Sequence, residues 1–431
     1  LNASAYSSND VNTIVKAYTN AFYVVSGTNG WFRNTQTSGS PTYFWQMANE
    51  IESVIDAYEW TGDATYQAMI TNLLNGFIKN NGSSWSYNGY NDDDLWAVMA
   101  FARGGQATGK TAYCDIAKSN FDMVYARAWD MNLGGGLYWL YPKNHSKNAC
   151  VNGPGAIAAY LLYQIYSDTN YLNKATNIYA WERAVLYNPA TGRVYDNINT
   201  NGTVDQTPTT YNQGTFIGAA DFLGQTNDAL LAANYTMNSM SGAGFMPRYG
   251  IGGNNSIFNS IFIRWLAKFM KHRGITAPYQ VWLQNQANAA WNGRRASDDL
   301  SWCQWPQPTP GGTNFYSYDC ISSFEAMIAV PPTQTNNPTT VMLLASDNPS
   351  TSSFESGLHW QGGMVPSSAH DYIVSGFTLR TPADSLNHYF AGSSLTLSNS
   401  AILALKNTGG SAGVSVGTDL FLDDGEVADW A

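Results

Sequence analysis

Apolar residues recur at steps of three and four positions through roughly the first 330 residues. In the segment that follows Ser8, for example, Val11, Ile14, Val15 and Tyr18 fall on one side of a helix. An apolar stripe of this spacing is typical of an amphipathic helix that packs against a core. Counting such stripes predicts twelve helices, over 8–25, 43–60, 64–79, 94–107, 110–127, 154–167, 169–186, 212–224, 227–240, 254–272, 277–293 and 317–329.

The connections between these helices alternate between short and long. Short turns join the second helix to the third at 61–63 and the fourth to the fifth at 105–109, and similar turns stand near Asp168 and Gln225. The other connections are long and rich in Trp and Tyr, and long loops are uncommon unless they serve a function. The alternation predicts six helical hairpins that form an (α/α)6 barrel, with an aromatic cleft at the end where the long loops gather.

The pattern changes at Pro331-Pro332. The next residues, 333–340, are rich in Thr, Asn and Pro, which is typical of a linker. Beyond them come short apolar runs bounded by Gly and Ser, such as 372–374 and 394–397, which predict strands. We therefore expect a mainly α domain over 1–332, a linker over 333–340 and a small all-β C-terminal module over 341–431.

Charged residues make up only 12% of the chain, against 14% aromatic residues. The formal net charge is −10 and the longest basic cluster is 271–273, which argues against nucleic acid and anionic membranes as partners. No apolar run approaches the roughly 18 residues of a membrane span, so we expect no membrane insertion. Because the chain begins at Leu1 without a Met and contains N-x-Ser/Thr sequons, we predict a secreted protein, and we expect a monomer.

Four cysteines, Cys114, Cys150, Cys303 and Cys320, permit three pairings. We favour a disulfide between Cys303 and Cys320, because both flank a loop rich in Pro and Gly. Cys114 lies in a helical pattern and is interpreted as a buried free thiol.

Three adjacent acids, Asp92, Asp93 and Asp94, stand out in a chain so poor in charge. They follow a loop that contains Trp85, Tyr87 and Tyr90 and precede an apolar helix. Helix capping explains one aspartate but not three, and the spaced oxygen ligands of an EF-hand calcium loop are lacking. A further interpretation of these aspartates is glycoside hydrolysis, which in most families uses a pair of carboxyl groups.

Two other segments match the residue pattern of a functional motif but lack the structural context that the motif requires. Residues 104–111 fit the G-x-x-x-x-G-K-[ST] phosphate loop, but such a loop follows a buried strand, and here a helix is predicted before it. The G-x-S-x-G match at 409–413 is interpreted as a turn between strands. The five histidines show no H-E-x-x-H pattern and no Cys partner at zinc spacing. We therefore expect no nucleotide, no metal and no other cofactor.

A series of motifs between about 40 and 330 resembles glycoside hydrolase family 76, the endo-α-1,6-mannanase family. The order and spacing of the motifs carry the resemblance, which implies an (α/α)6 barrel and a catalytic domain over 1–332. The motifs are Y-F-W-Q at 43–46, Y-E-W-T-G-D at 58–63, N-D-D at 91–93 with Trp96, G-G-G-L-Y-W at 134–139, K-N-A at 147–149 with Asn152, V-Y-D at 194–196 and Y-N-Q-G at 211–214.

The resemblance also implies roles for individual residues. The family uses two consecutive aspartates, and alignment on Trp96 places them at Asp92 and Asp93, as nucleophile and acid/base of a retaining double displacement. Asp196 is the candidate for holding a mannose hydroxyl in the −1 subsite. The other candidate substrate-binding residues are Trp45, Asp94, Trp139, Asn152, Tyr211 and Gln213.

These features together predict a secreted endo-acting hydrolase whose substrate is mannan or a mannose-containing oligosaccharide. Three alternatives stay open at this point. One is another six-hairpin glycosidase, including an inverting one. The second is a non-catalytic glycan-binding surface protein, which an aromatic cleft would suit equally well. The third is a cell-wall transglycosylase of the same fold.

Overall fold

The computed structural model describes residues 6–143, 145–330, 340–363, 365–367, 370–392, 394–406, 414–416 and 419–430. The chain divides into two compact units, Leu1–Thr333 and Gln334–Ala431. All of the predicted linker except Thr340 lies outside the described residues.

The first unit is mainly helical, as predicted, and the described residues form twelve α-helices. Each helix overlaps one predicted segment. The helices are α1 Ser8–Phe22, α2 Phe44–Thr61, α3 Ala64–Asn81, α4 Asn91–Thr108, α5 Thr111–Ala128, α6 Ala149–Tyr166, α7 Thr169–Val185, α8 Thr210–Phe222, α9 Thr226–Tyr235, α10 Phe258–Arg273, α11 Tyr279–Asn292 and α12 Ser317–Ala329.

Helices α4 and α6 begin well before the residues that the sequence pattern indicates. Helix α4 begins at Asn91 and not at 94, so the three aspartates form its first turn, where the free N–H groups favour acidic side chains. Helix α6 begins at Ala149 and includes Pro154, which we had placed at the helix start. Asn148 pairs with Asn197 of a neighbouring strand, and this pairing fixes the chain just before the helix.

The short turns between helices contain glycine at the helix end and, in one case, an aspartate that caps the next helix. Gly62 ends α2 with a φ of 69°, a left-handed conformation that glycine adopts at little cost. The side chain of Asp63 then accepts a hydrogen bond of 2.8 Å from the backbone N–H of Thr65 and caps α3. Gly109, with a φ of 68°, ends α4 in the same way.

The even-numbered helices pack against one another in sequence. Helix α2 contacts α4, α4 contacts α6, α6 contacts α8, α8 contacts α10, α10 contacts α12, and α12 contacts α2. The odd-numbered helices α3, α5, α7 and α9 pack on the even-numbered helix that precedes each of them. Close approach depends on glycine in places: a Cβ at Gly214 of α8 would lie 2.6 Å from the Cα of Phe262 in α10.

A buried charge cluster joins three of the even-numbered helices. Asp56 of α2 accepts hydrogen bonds of 2.5 Å from both Arg103 of α4 and Arg264 of α10. Arg103 also donates to Glu52 at 2.9 Å. Because each buried charge has an opposite partner, the cluster tolerates its burial, and removal of a single partner would be costly.

Short strands connect the helices of the first unit. The hairpin of β1 and β2 precedes α2, and β3 pairs with β6, which pairs with β7. These strands are β1 Tyr23–Ser26, β2 Asn29–Phe32, β3 Lys147–Asn148, β4 Tyr187–Asn188, β5 Arg193–Val194, β6 Asn197–Ile198 and β7 Val204–Asp205.

The second unit is rich in strands, as predicted, and its main strands are parallel. Strands β9, β12 and β15 pair in that order, β10, β13 and β16 do the same, and β11 pairs with β14. Paired positions are about 24 residues apart along the chain. The strands are β8 Val341–Met342, β9 Asp371–Ser375, β10 Thr378–Arg380, β11 His388–Phe390, β12 Ser394–Ser398, β13 Ile402–Lys406, β14 Val414–Val416, β15 Asp419–Asp423 and β16 Glu426–Trp430.

This pairing is that of a parallel β-solenoid, in which the chain completes a coil and then stacks on itself. Tyr372 and Leu395 pair on one face, Leu379 and Leu403 pair on the next, and all four are buried. The core of this unit is therefore a set of apolar ladders, one for each face.

The predicted disulfide is absent from the structure. Cys303 and Cys320 are buried free thiols, as are the other two cysteines. Cys320 lies inside α12 and not in a loop, and the backbone N–H of Cys303 donates to the carbonyl of Asp319. Burial raises the pKa of the Cys303 thiol to about 12, which disfavours the thiolate that disulfide formation requires. Among the described residues, no helix has the length and hydropathy needed to cross a membrane.

Candidate active site

A cavity of about 930 Å³ opens in the first unit. Its wall combines carboxylates, amides and aromatic rings. The lining residues are Tyr43, Trp45, Tyr90, Asp92, Asp93, Trp96, Trp139, Ser146, Asn148, Cys150, Asp196, Asn197, Asn199, Asp205, Tyr211, Asn254, Asn255 and Phe258.

The cavity lies where five of the even-numbered helices begin. Trp45, Asp92, Cys150 and Tyr211 are each the second residue of their helices, and Phe258 is the first residue of α10. A helix start carries free N–H groups and the positive end of the helix dipole. The cavity is therefore a place where the backbone favours negative charge.

Two loops hold the start of α4 in place. The backbone N–H of Asn91 donates to the carbonyl of Trp139 at 2.9 Å, and its side-chain amide donates to the carbonyl of Tyr138 at 2.8 Å. Arg127 of α5 donates to the side-chain oxygen of Asn91 at 2.6 Å and to the carbonyl of Asn88 at 2.8 Å. This network fixes the direction in which the acidic first turn faces the cavity.

Asp92 and Asp93 both line the cavity, with different partners. Oδ2 of Asp92 lies 3.5 Å from Sγ of Cys150, and the side chain of Trp139 also hydrogen-bonds this carboxyl group. Oδ1 of Asp92 is buried and has no hydrogen-bond partner among the described residues. Asp93 accepts a hydrogen bond of 3.4 Å from the side-chain amide of Asn88.

Both carboxyl groups have raised pKa values. Burial raises the pKa of Asp92 to about 8, and the charge of Asp93 adds to this rise. Burial also raises the pKa of Asp93, to about 6. Between these values the pair holds one proton and one negative charge, and two carboxyl groups in this state can serve as an acid and as an anion at the same time.

Asp196 lies on the cavity wall on the turn between β5 and β6. Its carboxylate accepts hydrogen bonds from the amide of Asn197 at 2.8 Å and from the amide of Asn212 at 3.2 Å. Burial raises its pKa. The two amides fix the carboxylate against the wall, where it can accept a hydrogen bond from a ligand hydroxyl.

Aromatic rings form a continuous wall from α2 to α10. Trp45 lies 6.4 Å from Trp96 between ring centroids, Trp96 stacks on Tyr211 at 6.4 Å, and Tyr211 stacks on Phe258 at 3.8 Å. Flat apolar faces of this kind match the apolar faces of sugar rings without the need for charge.

A sequence model of glycosyl hydrolase family 76 matches residues 5–340. The chain belongs to glycosyl hydrolase family 76. The matched span covers helices α1 to α12 and every residue of the cavity wall.

Solved members of family 76 share the fold of the helical unit. The α-1,6-mannanase of Salegentibacter sp. is 27% identical, with a TM-score of 0.68 over 74% of this chain and 98% of that protein. An inactive variant of that enzyme, with two consecutive aspartates replaced by asparagine, was solved with α-1,6-mannotriose at 26% identity and the same TM-score and coverage.

Sequence relatives in fungi match a smaller part of the chain. A mannan endo-1,6-α-mannosidase of Eremothecium gossypii is 28% identical over 44% of this chain and 47% of that protein. One of Saccharomyces cerevisiae is 26% identical over 46% of each. The chain thus spans about half the length of these relatives.

The structure brings six of the predicted site residues of this family 76 chain together at the cavity. They are Trp45, Asp92, Asp93, Trp139, Asp196 and Tyr211.

Three predicted substrate-binding residues do not line the cavity, and each has a structural partner instead. Asp94 is fully buried and forms an ion pair of 2.8 Å with Arg127. The amide of Asn152 bonds the backbone of Leu137 and Asn148. The amide of Gln213 bonds three backbone groups, those of Gly192, Val194 and Ala232. Their expected role in substrate binding is therefore corrected.

The sequence argument missed several residues of the cavity wall. Cys150 stands inside the K-N-A motif region but was considered only for disulfide pairing. Asn199 and Asp205 lie on the β6–β7 hairpin, a two-strand element with no distinct sequence signal. Asn254 is held by the amide of Gln46 at 2.9 Å, a partner 208 positions away that no local pattern could indicate.

Proposed function

We propose that this chain is a secreted glycoside hydrolase that cleaves α-1,6-mannosidic linkages inside mannan chains by a retaining double displacement. One observation carries the proposal: the adjacent carboxyl groups of Asp92 and Asp93 share an aromatic-walled cavity in a family 76 chain. The inactive double-aspartate variant of the Salegentibacter enzyme supports the catalytic role of the pair.

We also propose that the six hairpins close into an (α/α)6 barrel. The cycle of contacts from α2 through α4, α6, α8, α10 and α12 back to α2 supports this closure. A closed barrel would hold the starts of the even-numbered helices at fixed separations, which precise placement of two carboxyl groups requires.

In the proposed first step, an oxygen of Asp92 attacks the anomeric carbon and forms a glycosyl ester. The bond from that carbon to the leaving oxygen breaks, and Asp93 gives its proton to the leaving oxygen. Because the pKa of Asp92 lies above that of Asp93 in the free protein, this step requires that substrate binding move the shared proton from Asp92 to Asp93. The Cys150 thiol, a donor beside Asp92, favours the ionised form that results.

In the second step, Asp93 removes a proton from a water molecule. The water oxygen attacks the anomeric carbon, the ester bond to Asp92 breaks, and the product keeps the α configuration. Asp196 would accept a hydrogen bond from a mannose hydroxyl, because its carboxylate faces the cavity and is already fixed by two amides.

The decisive experiment is incubation of the protein with unbranched α-1,6-mannan, followed by chromatography of the products. We expect short mannose oligosaccharides of several lengths, as an endo-acting enzyme produces. Proton NMR early in the reaction should show the α anomer first. Binding of mannan without release of any oligosaccharide would instead favour a glycan-binding protein.

The same incubation tests the alternative of transglycosylation. Addition of a labelled mannotriose acceptor would give labelled products longer than the acceptor if transfer competes with hydrolysis. An inverting enzyme would release the β anomer first and would overturn the retaining mechanism.

A further inference from the structure

The mechanism above treats Cys150 only as one of the donors around Asp92, although its thiol lies beside the nucleophile. Cys150 is the second residue of α6 and is 5% exposed. Its sulfur lies 3.5 Å from Oδ2 of Asp92, within hydrogen-bond range for a thiol. The contact joins α6 to α4 beside the proposed catalytic pair.

The hydroxyl of Tyr211 in α8 is a second polar neighbour of the thiol. The Tyr211 ring is fixed by stacking on Phe258 at 3.8 Å. Burial raises the pKa of Cys150 well above its usual value, so the sulfur keeps its proton. A neutral thiol beside a carboxyl oxygen can act only as the donor when that oxygen is ionised.

The two oxygens of Asp92 therefore differ. Oδ2 faces the thiol, whereas Oδ1 is buried and has no hydrogen-bond partner among the described residues. Because Oδ1 is enclosed by the protein, the thiol contact at Oδ2 is a hydrogen bond that can set the orientation of this carboxyl group.

We propose that Cys150 is a positioning residue: its S–H group binds Oδ2 of Asp92 and holds the carboxylate plane in the orientation that attack on the substrate requires. The inference rests on the proposed hydrolase function.

Several ionisable groups surround Asp92 and must be considered in any test by pH. Asp93 and Asp94 lie on α4 itself, Cys150 comes from α6 and Tyr211 from α8. Asp196, on the turn before β6, acts on the thiol. Loss of the thiol donor should make Asp92 harder to ionise, because a donor stabilises the charged form.

The test compares Cys150→Ala, which removes the donor, with Cys150→Ser, which keeps one. Cys114→Ala is the matched control, since Cys114 is a buried free thiol of α5 that does not line the cavity. On α-1,6-mannan we expect Cys150→Ala to lower kcat about tenfold with KM within twofold, the low end for a hydrogen bond to a charged group. Its alkaline pH limb, which follows the pKa of Asp92, should move to higher pH by about half a unit.

We expect Cys150→Ser to retain kcat within about threefold and the wild-type alkaline limb, and Cys114→Ala to match wild type throughout. If Cys150→Ala keeps wild-type kcat and pH profile, or if Cys150→Ser is as impaired as Cys150→Ala, the inference is overturned. A wild-type protein that releases no oligosaccharide would instead overturn the proposed function. Circular dichroism of each variant verifies that the fold is intact.

Discussion

Three adjacent aspartates of the same helix turn have different surroundings. Asp92 and Asp93 line the cavity, whereas Asp94 points into the protein and pairs with Arg127 at 2.8 Å. Successive positions on a helix are turned by about 100° from one another, so neighbours in sequence face different directions. The sequence identified the group of acids, but only the packing of Arg127 against α4 separates the structural member from the two exposed to substrate.

Replacement of either cavity aspartate should abolish hydrolysis while leaving the fold intact. We expect Asp92→Asn and Asp93→Asn each to reduce kcat/KM on α-1,6-mannan by at least about a thousandfold, because the reaction needs both an ionised and a protonated carboxyl group. Steady-state kinetics and thermal unfolding of the two variants measure both effects. Full activity in either variant would contradict the assignment.

Asp94→Asn should give the opposite result, with stability lost and chemistry retained. Burial raises the pKa of Asp94 to about 8, so above this pH the change leaves Arg127, whose side chain is 10% exposed, without its charged partner. There we expect a loss of roughly 2–4 kcal/mol in the free energy of unfolding. Activity well below the melting temperature should stay within about tenfold of wild type. Urea denaturation and kinetics on mannan check the two parts, and a thousandfold loss of kcat would place Asp94 in the reaction.

Activity should depend on pH as a bell-shaped curve. Burial raises the pKa of Asp93 to about 6 and that of Asp92 to about 8, and the pair is active only while it holds one proton. We therefore expect kcat/KM to fall below about pH 6, as the second proton binds, and above about pH 8, as the shared proton leaves. A profile flat to pH 10 would show that no carboxyl proton is used.

Helix positions followed from the apolar periodicity, but the starts of α4, α6, α8 and α10 did not, and these starts help to form the site. Five even-numbered helices bring their first or second residues to the cavity. The period of apolar residues locates the middle of a helix, whereas its first turn depends on the neighbours that pair with it, as Asn148 does with Asn197. For the same reason Asn152 and Gln213 were wrongly predicted to contact substrate: their partners are backbone groups of distant segments.

Glu50 of α2 offers a test of how two helices are joined. Its buried carboxyl group accepts a hydrogen bond of 2.8 Å from Thr42 and another from Ser317 at the start of α12. Burial raises its pKa from 4.5 to about 8. The folded protein thus keeps a proton that the unfolded chain releases near pH 4.5, so this group makes the free energy of unfolding fall as pH rises from about 4.5 to about 8.

Glu50→Gln should remove this dependence. At pH 8.5 we expect the variant to be more stable than wild type by roughly 2–4 kcal/mol relative to their difference at pH 4.5. Urea denaturation at both pH values measures this change. Glu426→Gln, at an exposed position of β16, is the matched control and should leave the pH dependence unaltered. An equal pH dependence in Glu50→Gln and wild type would show that Glu50 is ionised in the folded protein.

At the scale of the molecule, all residues of the cavity wall belong to the first unit, which has its own hydrophobic core. A chain that ends at Thr333 should therefore fold and keep kcat/KM on soluble mannan oligosaccharides within about twofold of the full chain. Kinetics and circular dichroism check this expectation. A large loss of activity in a folded truncated protein would show that the second unit completes the site.

The second unit shows where sequence analysis stopped short. Apolar runs bounded by Gly and Ser indicated strands. The repeat of about 24 residues, which aligns Leu379 with Leu403, is hard to detect because only a few side chains recur in each coil. Parallel stacking leaves no turn signal of the kind that marks a hairpin, so the sequence indicated a small all-β module without its topology.

Parallel stacking of coils determines how the second unit responds to the removal or duplication of residues. Each coil contacts mainly the coil on either side of it, so the free energy of the unit is close to a sum of similar increments. One complete repeat has about 24 residues and runs, for example, over 378–401, because Thr378 pairs with Ile402. Removal or duplication of such a repeat would shorten or lengthen the stack without a change of fold. The length of the solenoid is thus a quantity that evolution or design can vary in whole steps, independently of the chemistry in the helical unit.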